Sequence, residues 1–235
     1  GRRLNLHAFR ACFDINADHD PPDRGAILSR AAFCRGLETA MRRFACTCGI
    51  DAAARRTHAR ECPYDRLMNP DRPPVFVLHV FGNSGLREGT LAVDFTLAGD
   101  SHQLLPFVVL AFDRMEVSIR DSGAVKLRLS EVLALPGGKR IYDGNDRKLE
   151  LAKVGPLHAG QLERDESVAR IKVRFVYPIN LAYGGHGGVL PEFSHLIGCL
   201  CRRLADMLPG SPPDAAMDEV PGFREALERV RLVQS

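Results

Sequence analysis

The sequence predicts an α+β fold built as two halves in tandem, and three observations carry that reading. Short stretches of alternating apolar and polar residues, rich in β-branched and aromatic side chains, read as strands at residues 4–16, 75–81, 90–98 and 125–133. Two longer stretches, 25–44 and 101–115, repeat apolar residues at helical spacing. The order from residue 4 is therefore strand, helix, strand, strand, helix, strand, which is the ferredoxin-like order. Residues 136–235 hold a second series of strands and helices, so the expectation is tandem ferredoxin-like (RRM-like) domains over 1–135 and 136–235. A helical, Arg-rich excursion at about 46–72 interrupts the first.

The first strand ends at the turn Asp18-His19-Asp20-Pro21-Pro22, which leads into the first helix. Ile27, Ala31, Cys34, Leu37, Met41 and Phe44 are expected to form its buried face. Arg24, Arg35 and Arg42 line up on another face, with Arg43 beside them. Arg30 falls near the middle of the apolar face. A charge there needs a partner, either an acidic side chain of the fold or an RNA phosphate.

Cys46-Thr47-Cys48 follows, then His58 and Cys62-Pro63-Tyr64. Cys46, Cys48, His58 and Cys62 are four candidate ligands for a tetrahedral structural zinc; small buried thiols are the plainer alternative. Arg55, Arg56, Arg60 and Arg66 make the excursion basic, either as a lid over RNA or as a solvated helix.

Gly137-Gly138 and Tyr142-Asp143-Gly144-Asn145 mark turns that open the second half. Short strands are expected near 139–142 and 148–153, and a stronger one at 171–177, ended by Pro178. Gly184, Gly185, Gly187 and Gly188 then surround His186. Glycines let a phosphate approach bare backbone N–H groups, although a connecting turn uses the same residues. No Gly-Lys-Ser/Thr occurs in the chain and the spacing is not a dinucleotide fingerprint, so a nucleotide cofactor is not expected. In the helix expected at 193–208, Phe193, Leu196, Ile197, Leu200, Leu204, Met207 and Leu208 share one side, and His195 and Arg202 the opposite one. A Pro-rich linker at 210–218 precedes a last helix at about 221–232.

With 235 residues, 45% of them apolar, the chain can bury a core. No apolar run reaches the ~18–20 residues of a membrane span, and no signal-peptide core follows the first residues, so a soluble cytoplasmic protein is expected. The formal net charge is only +3, but the 32 basic residues comprise 27 Arg and 5 Lys. Guanidinium groups pair with phosphate and stack on bases, and a GC-rich genome produces the same bias. Seven cysteines without an export signal argue for thiols or metal ligands over a disulfide framework.

Several segments together resemble the CRISPR RNA-processing endoribonucleases of the RAMP superfamily. Gly25-Ala26-Ile27-Leu28-Ser29-Arg30-Ala31-Ala32-Phe33 resembles that family's entry into its first helix, with Ala31 in place of the usual glycine and Ser29 intervening. Cys46-Thr47-Cys48, Cys62-Pro63-Tyr64 and Pro73-Pro74-Val75-Phe76-Val77-Leu78 resemble a subgroup pattern. So does the closing Phe175-Val176-Tyr177-Pro178 with Phe193, Leu196 and Arg202-Arg203-Leu204. The Arg-rich, His-poor first helix suggests the type IV branch.

The resemblance implies a protein of antiviral defence that binds a CRISPR repeat RNA stem-loop, cuts the precursor once per repeat and stays on the guide RNA beside other effector subunits. The family's cleavage needs no metal cofactor: a 2′-hydroxyl attacks the neighbouring phosphate and leaves a 2′,3′-cyclic phosphate. That step requires a base, an acid and cations around the phosphorane. Many relatives place a histidine on the first helix, whereas residues 25–45 contain none. Arg30 and Arg35 are then the candidates for stabilising the phosphorane, and His186 for the titrating group. RNA contacts are expected from Arg24, Arg42, Arg43, Arg55, Arg56, Gly184, Gly185, Gly187, Gly188, His195 and Arg202. The alternatives are a non-catalytic guide-RNA-binding subunit and a metal-stabilised interaction protein. A two-histidine phosphodiesterase is excluded, because no histidine begins its H-x-S/T motif.

Overall fold

Strand β1, Leu6–Asp14, alternates buried and half-buried residues along its whole length, as a strand with one covered face must. It is central in an antiparallel sheet of order β2-β4-β1-β7-β8-β9, in which β2 is Phe76–Val80, β4 Thr90–Ala98, β7 Arg128–Leu135, β8 Lys139–Asp143 and β9 Lys148–Leu149. The two-residue β3, Leu86–Arg87, adds to β4 beyond the end of β2. Strands β5, Glu116–Ile119, and β6, Gly123–Lys126, form a separate hairpin. This computed structural model describes residues 5–14, 30–48, 61–69, 75–80, 86–87, 90–119, 123–157 and 197–200.

Between β1 and β2 come helix α1, Arg30–Phe44, and the one-and-a-half-turn α2, Pro63–Met68. Helix α3, Leu105–Arg114, follows β4. The expected succession of strand, helix, strand, strand, helix, strand is thus present, with β1, β2, β4 and β7 as its strands. The core lies where α1 and α3 meet one sheet face. Phe13 of β1 contacts Phe33 of α1 and Phe112 of α3 edge-on at 5.8 and 5.5 Å, and Phe112 meets Phe95 of β4 at 5.4 Å. All four rings are essentially solvent-free.

Several expectations need correction. The buried face of α1 is Ala32, Phe33, Leu37, Ala40 and Met41. Ala31 is exposed and Cys34 and Phe44 only half-buried, because Phe33, packed against Phe13 and Phe112, sets the rotation of the helix. Arg30 lies in line with the buried Phe33, Leu37 and Met41, and it is exposed because it is the first residue of α1. The helix expected at 101–115 begins as a 3₁₀ segment, Gly99–Leu104, and turns α-helical where Pro106 sits in the first turn, the position that tolerates a missing N–H. The strand expected at 125–133 is two strands broken at Leu127.

Residues 139–149, expected to open a second half, instead extend the first sheet, since β8 pairs with β7 and β9 with β8. The turn at 136–138 is too short for any other placement: Gly138 takes a left-handed φ of 64° and returns the chain alongside β7. The compact units are Gly1–Leu157 and His158–Ser235. Within the second, residues 197–200 are helical, inside the helix expected there, and Leu200 is about half exposed. The strand expected at 171–177, the helix at 221–232 and a second ferredoxin-like half fall outside the described residues. No described helix is long and apolar enough to cross a membrane.

Candidate functional site

Three of the four expected metal ligands come together. Cys46 and Cys48 lie just after α1 and Cys62 just before α2, and their sulfurs all lie within 4.8 Å of one another. Cys62 is fully buried; Cys46 and Cys48 are half-buried. Burial opposes ionisation of the Cys62 thiol. The backbone N–H groups of Asp65 and Thr47 donate to its sulfur, the Cys48 and Cys46 side chains also hydrogen-bond to it, and together these hold its pKa below the usual thiol value. Such a trio can hold a metal ion, as thiolate sulfur is a strong ligand for soft and borderline cations. His58, the fourth expected ligand, lies outside the described residues.

The second feature is the set of arginines on α1. All four are exposed: Arg35, Arg42 and Arg43 on the side away from the core, and Arg30 at the first residue of the helix, in line with the buried Phe33, Leu37 and Met41. Arg42 and Arg43 lie in the last turn, where cations complement the helix dipole. Arg42 donates from Nη2 to Glu38 Oε1 and to the Tyr64 hydroxyl, both at 3.2 Å, and its guanidinium carbon lies 5.6 Å from the Tyr64 ring centre. The Tyr64 hydrogen bond, more than Glu38, raises its pKa. Arg43 sits over the Phe44 ring at 5.3 Å. Arg24, Arg55, Arg56, Gly184, Gly185, His186, Gly187, Gly188, His195 and Arg202 lie outside the described residues.

Sequence reasoning missed the far face of the sheet. His79 of β2, Asp94 of β4 and Arg10 of β1 stand in one cross-strand row. Cys12 lies on the same face, its pKa raised first by burial and then by Glu131, which hydrogen-bonds it. The alternation of β1 places Arg10 and Cys12 on one face, but only the strand register reveals their neighbours.

Residues 28–154 match a family model described as the AF_1859_N N-terminal domain, which is more than half of the chain. The chain belongs to the AF_1859_N family. The AF_1859_N match takes in all of α1, the three clustered cysteines and every strand from β2 to β9, and leaves out β1. No curated protein and no solved structure matches the chain.

Proposed function

We propose that the chain binds RNA as a RAMP-type subunit of a CRISPR ribonucleoprotein, with a ferredoxin-like first unit and the arginines of α1 against the phosphate backbone. The observation that carries this reading is the charge of one helix. α1 holds four arginines and a single glutamate, a net charge equal to the whole chain's +3, and all four arginines are exposed. The remaining residues therefore sum to neutrality, so a polyanion has one strong local attractor among the described elements. The far sheet face is a poorer choice, because Asp14, Asp94, Glu131 and Asp143 are interleaved there with Arg10, Arg128, Arg140 and Lys148 and leave no net excess of positive charge.

Cleavage is the stronger form of the same reading, with Arg30 and Arg35 steadying the phosphorane and His186 moving the proton. Guanidinium groups stay protonated, so α1 by itself supports binding without supplying a base. The reaction uses no metal, and a metal held by the thiols would serve the fold.

The test is a labelled repeat stem-loop RNA incubated with the full chain in EDTA. One cut ending in a cyclic phosphate establishes the endoribonuclease, and tight binding of intact RNA establishes the guide-RNA subunit. Binding too weak to compete with an unrelated acidic polymer would reject both.

A further inference from the structure

We propose that Cys46, Cys48 and Cys62 bind one Zn²⁺ that clips the end of α1 to the start of α2. The sulfurs are already within 4.8 Å of one another, and a zinc tetrahedron with bonds of about 2.3 Å sets them about 3.8 Å apart. Only a small contraction separates the two arrangements. An iron–sulfur cubane would attach each thiolate to a different iron and spread the sulfurs farther apart.

The surroundings of Cys62 also suit a bound cation. Its sulfur accepts backbone N–H bonds from Thr47, on the α1 side, and Asp65, on the α2 side. Hydrogen bonds of that kind orient metal-ligating groups and spread their negative charge. Pro63 at the first position of α2 fixes the chain direction leaving Cys62. A metal at this point crosslinks two elements whose direct contact is slight, and a clip of that kind restricts the unfolded chain through loop closure.

The full chain, purified under reducing conditions without chelator, is assayed for zinc, and the metal-free chain is titrated with Co²⁺ while the visible spectrum is recorded. About one zinc per chain is expected, with thiolate-to-cobalt charge transfer and the intense visible bands of a tetrahedral site. Cys62→Ser should lose the zinc and the bands, whereas Cys34→Ser, outside the cluster, keeps both. Because Cys62→Ser could fail to fold, the variant Cys48→Ser, at a half-buried position, provides a second measure: chelator should lower the melting temperature of the parent chain and leave that of Cys48→Ser unchanged. Absence of zinc together with a featureless cobalt spectrum overturns the proposal. So does a disulfide among these cysteines in the freshly purified chain, or retention of zinc by Cys62→Ser.

Discussion

Arg10 and Asp94 face each other across the β1–β4 register and are joined by two parallel hydrogen bonds, Nε to Oδ1 at 2.6 Å and Nη2 to Oδ2 at 2.9 Å. The hydrogen bond to Asp94, followed by its charge, raises the Arg10 pKa. The guanidinium is 42% exposed, so water screens the pair, and its coupling should be about 0.5–1 kcal/mol. A double-mutant cycle with Arg10→Ala and Asp94→Ala in urea unfolding measures it. Additive single effects would show that the pair contributes no coupling despite its geometry.

Gly36 lies where α1 crosses β5. A Cβ at this position would be 2.5 Å from the Glu116 carbonyl oxygen and 3.1 Å from Val117 Cγ2. Alanine would favour the helix by about 1 kcal/mol, but backbone cannot yield as a side-chain tip can, and overpacking typically costs about 1–3 kcal/mol. Gly36→Ala should therefore lower the melting temperature. Gly137→Ala, whose added Cβ meets nothing within 4 Å, should leave it unchanged, and equal effects of the two would remove the helix–strand contact as the cause.

The strands of the first unit were legible because one covered face imposes strict alternation, as Phe9, Ala11 and Phe13 show in β1. The rotation of α1 was not. Ala31, Ala32, Phe33 and Cys34 are all acceptable core residues, and only the rings of Phe13 and Phe112 select Phe33 over its neighbours. The thiol cluster was half legible: the Cys-x-Cys and Cys-Pro spacing named the ligands, but convergence depends on where α1 ends relative to α2, which local pattern does not encode. The His79–Asp94–Arg10 row was invisible, because register joins residues remote in sequence.

His7 is 5% exposed, stacks on His102 with ring centres 4.3 Å apart, and its Nδ1 has no hydrogen-bond partner. Burial, and then the charge of His102, lower its pKa below 6.5, while a hydrogen bond to the Gly155 backbone partly offsets them. With the folded value below the unfolded one, the unfolded chain binds more protons between the two. The neutral ring's full contribution is present above 6.5 and is lost as pH falls through the folded value. Unfolding free energy should decline as pH falls below 6.5, more steeply in the parent than in His7→Gln. Parallel profiles would show that His7 does not drive the decline.

Arg35 and Arg42 share the outer face of α1 yet should respond differently to replacement. Arg42 is committed within the fold, bridging Glu38 on its own helix and the Tyr64 hydroxyl on α2. The Arg42 and Glu38 side chains are each half exposed, although Tyr64 is buried, so Arg42→Ala should cost about 0.5–1 kcal/mol of stability. Arg35 is exposed in the middle of the helix, and on the RNA-binding reading it is a phosphate contact. Arg35→Ala should leave stability unchanged, weaken binding of all RNA sequences alike and reduce the slope of log affinity against log salt by about 1. Urea titrations and binding isotherms at several salt concentrations separate the two effects. If Arg35→Ala leaves the salt slope intact, the outer face of α1 does not carry the RNA backbone, and the arginine excess of this helix serves solvation alone.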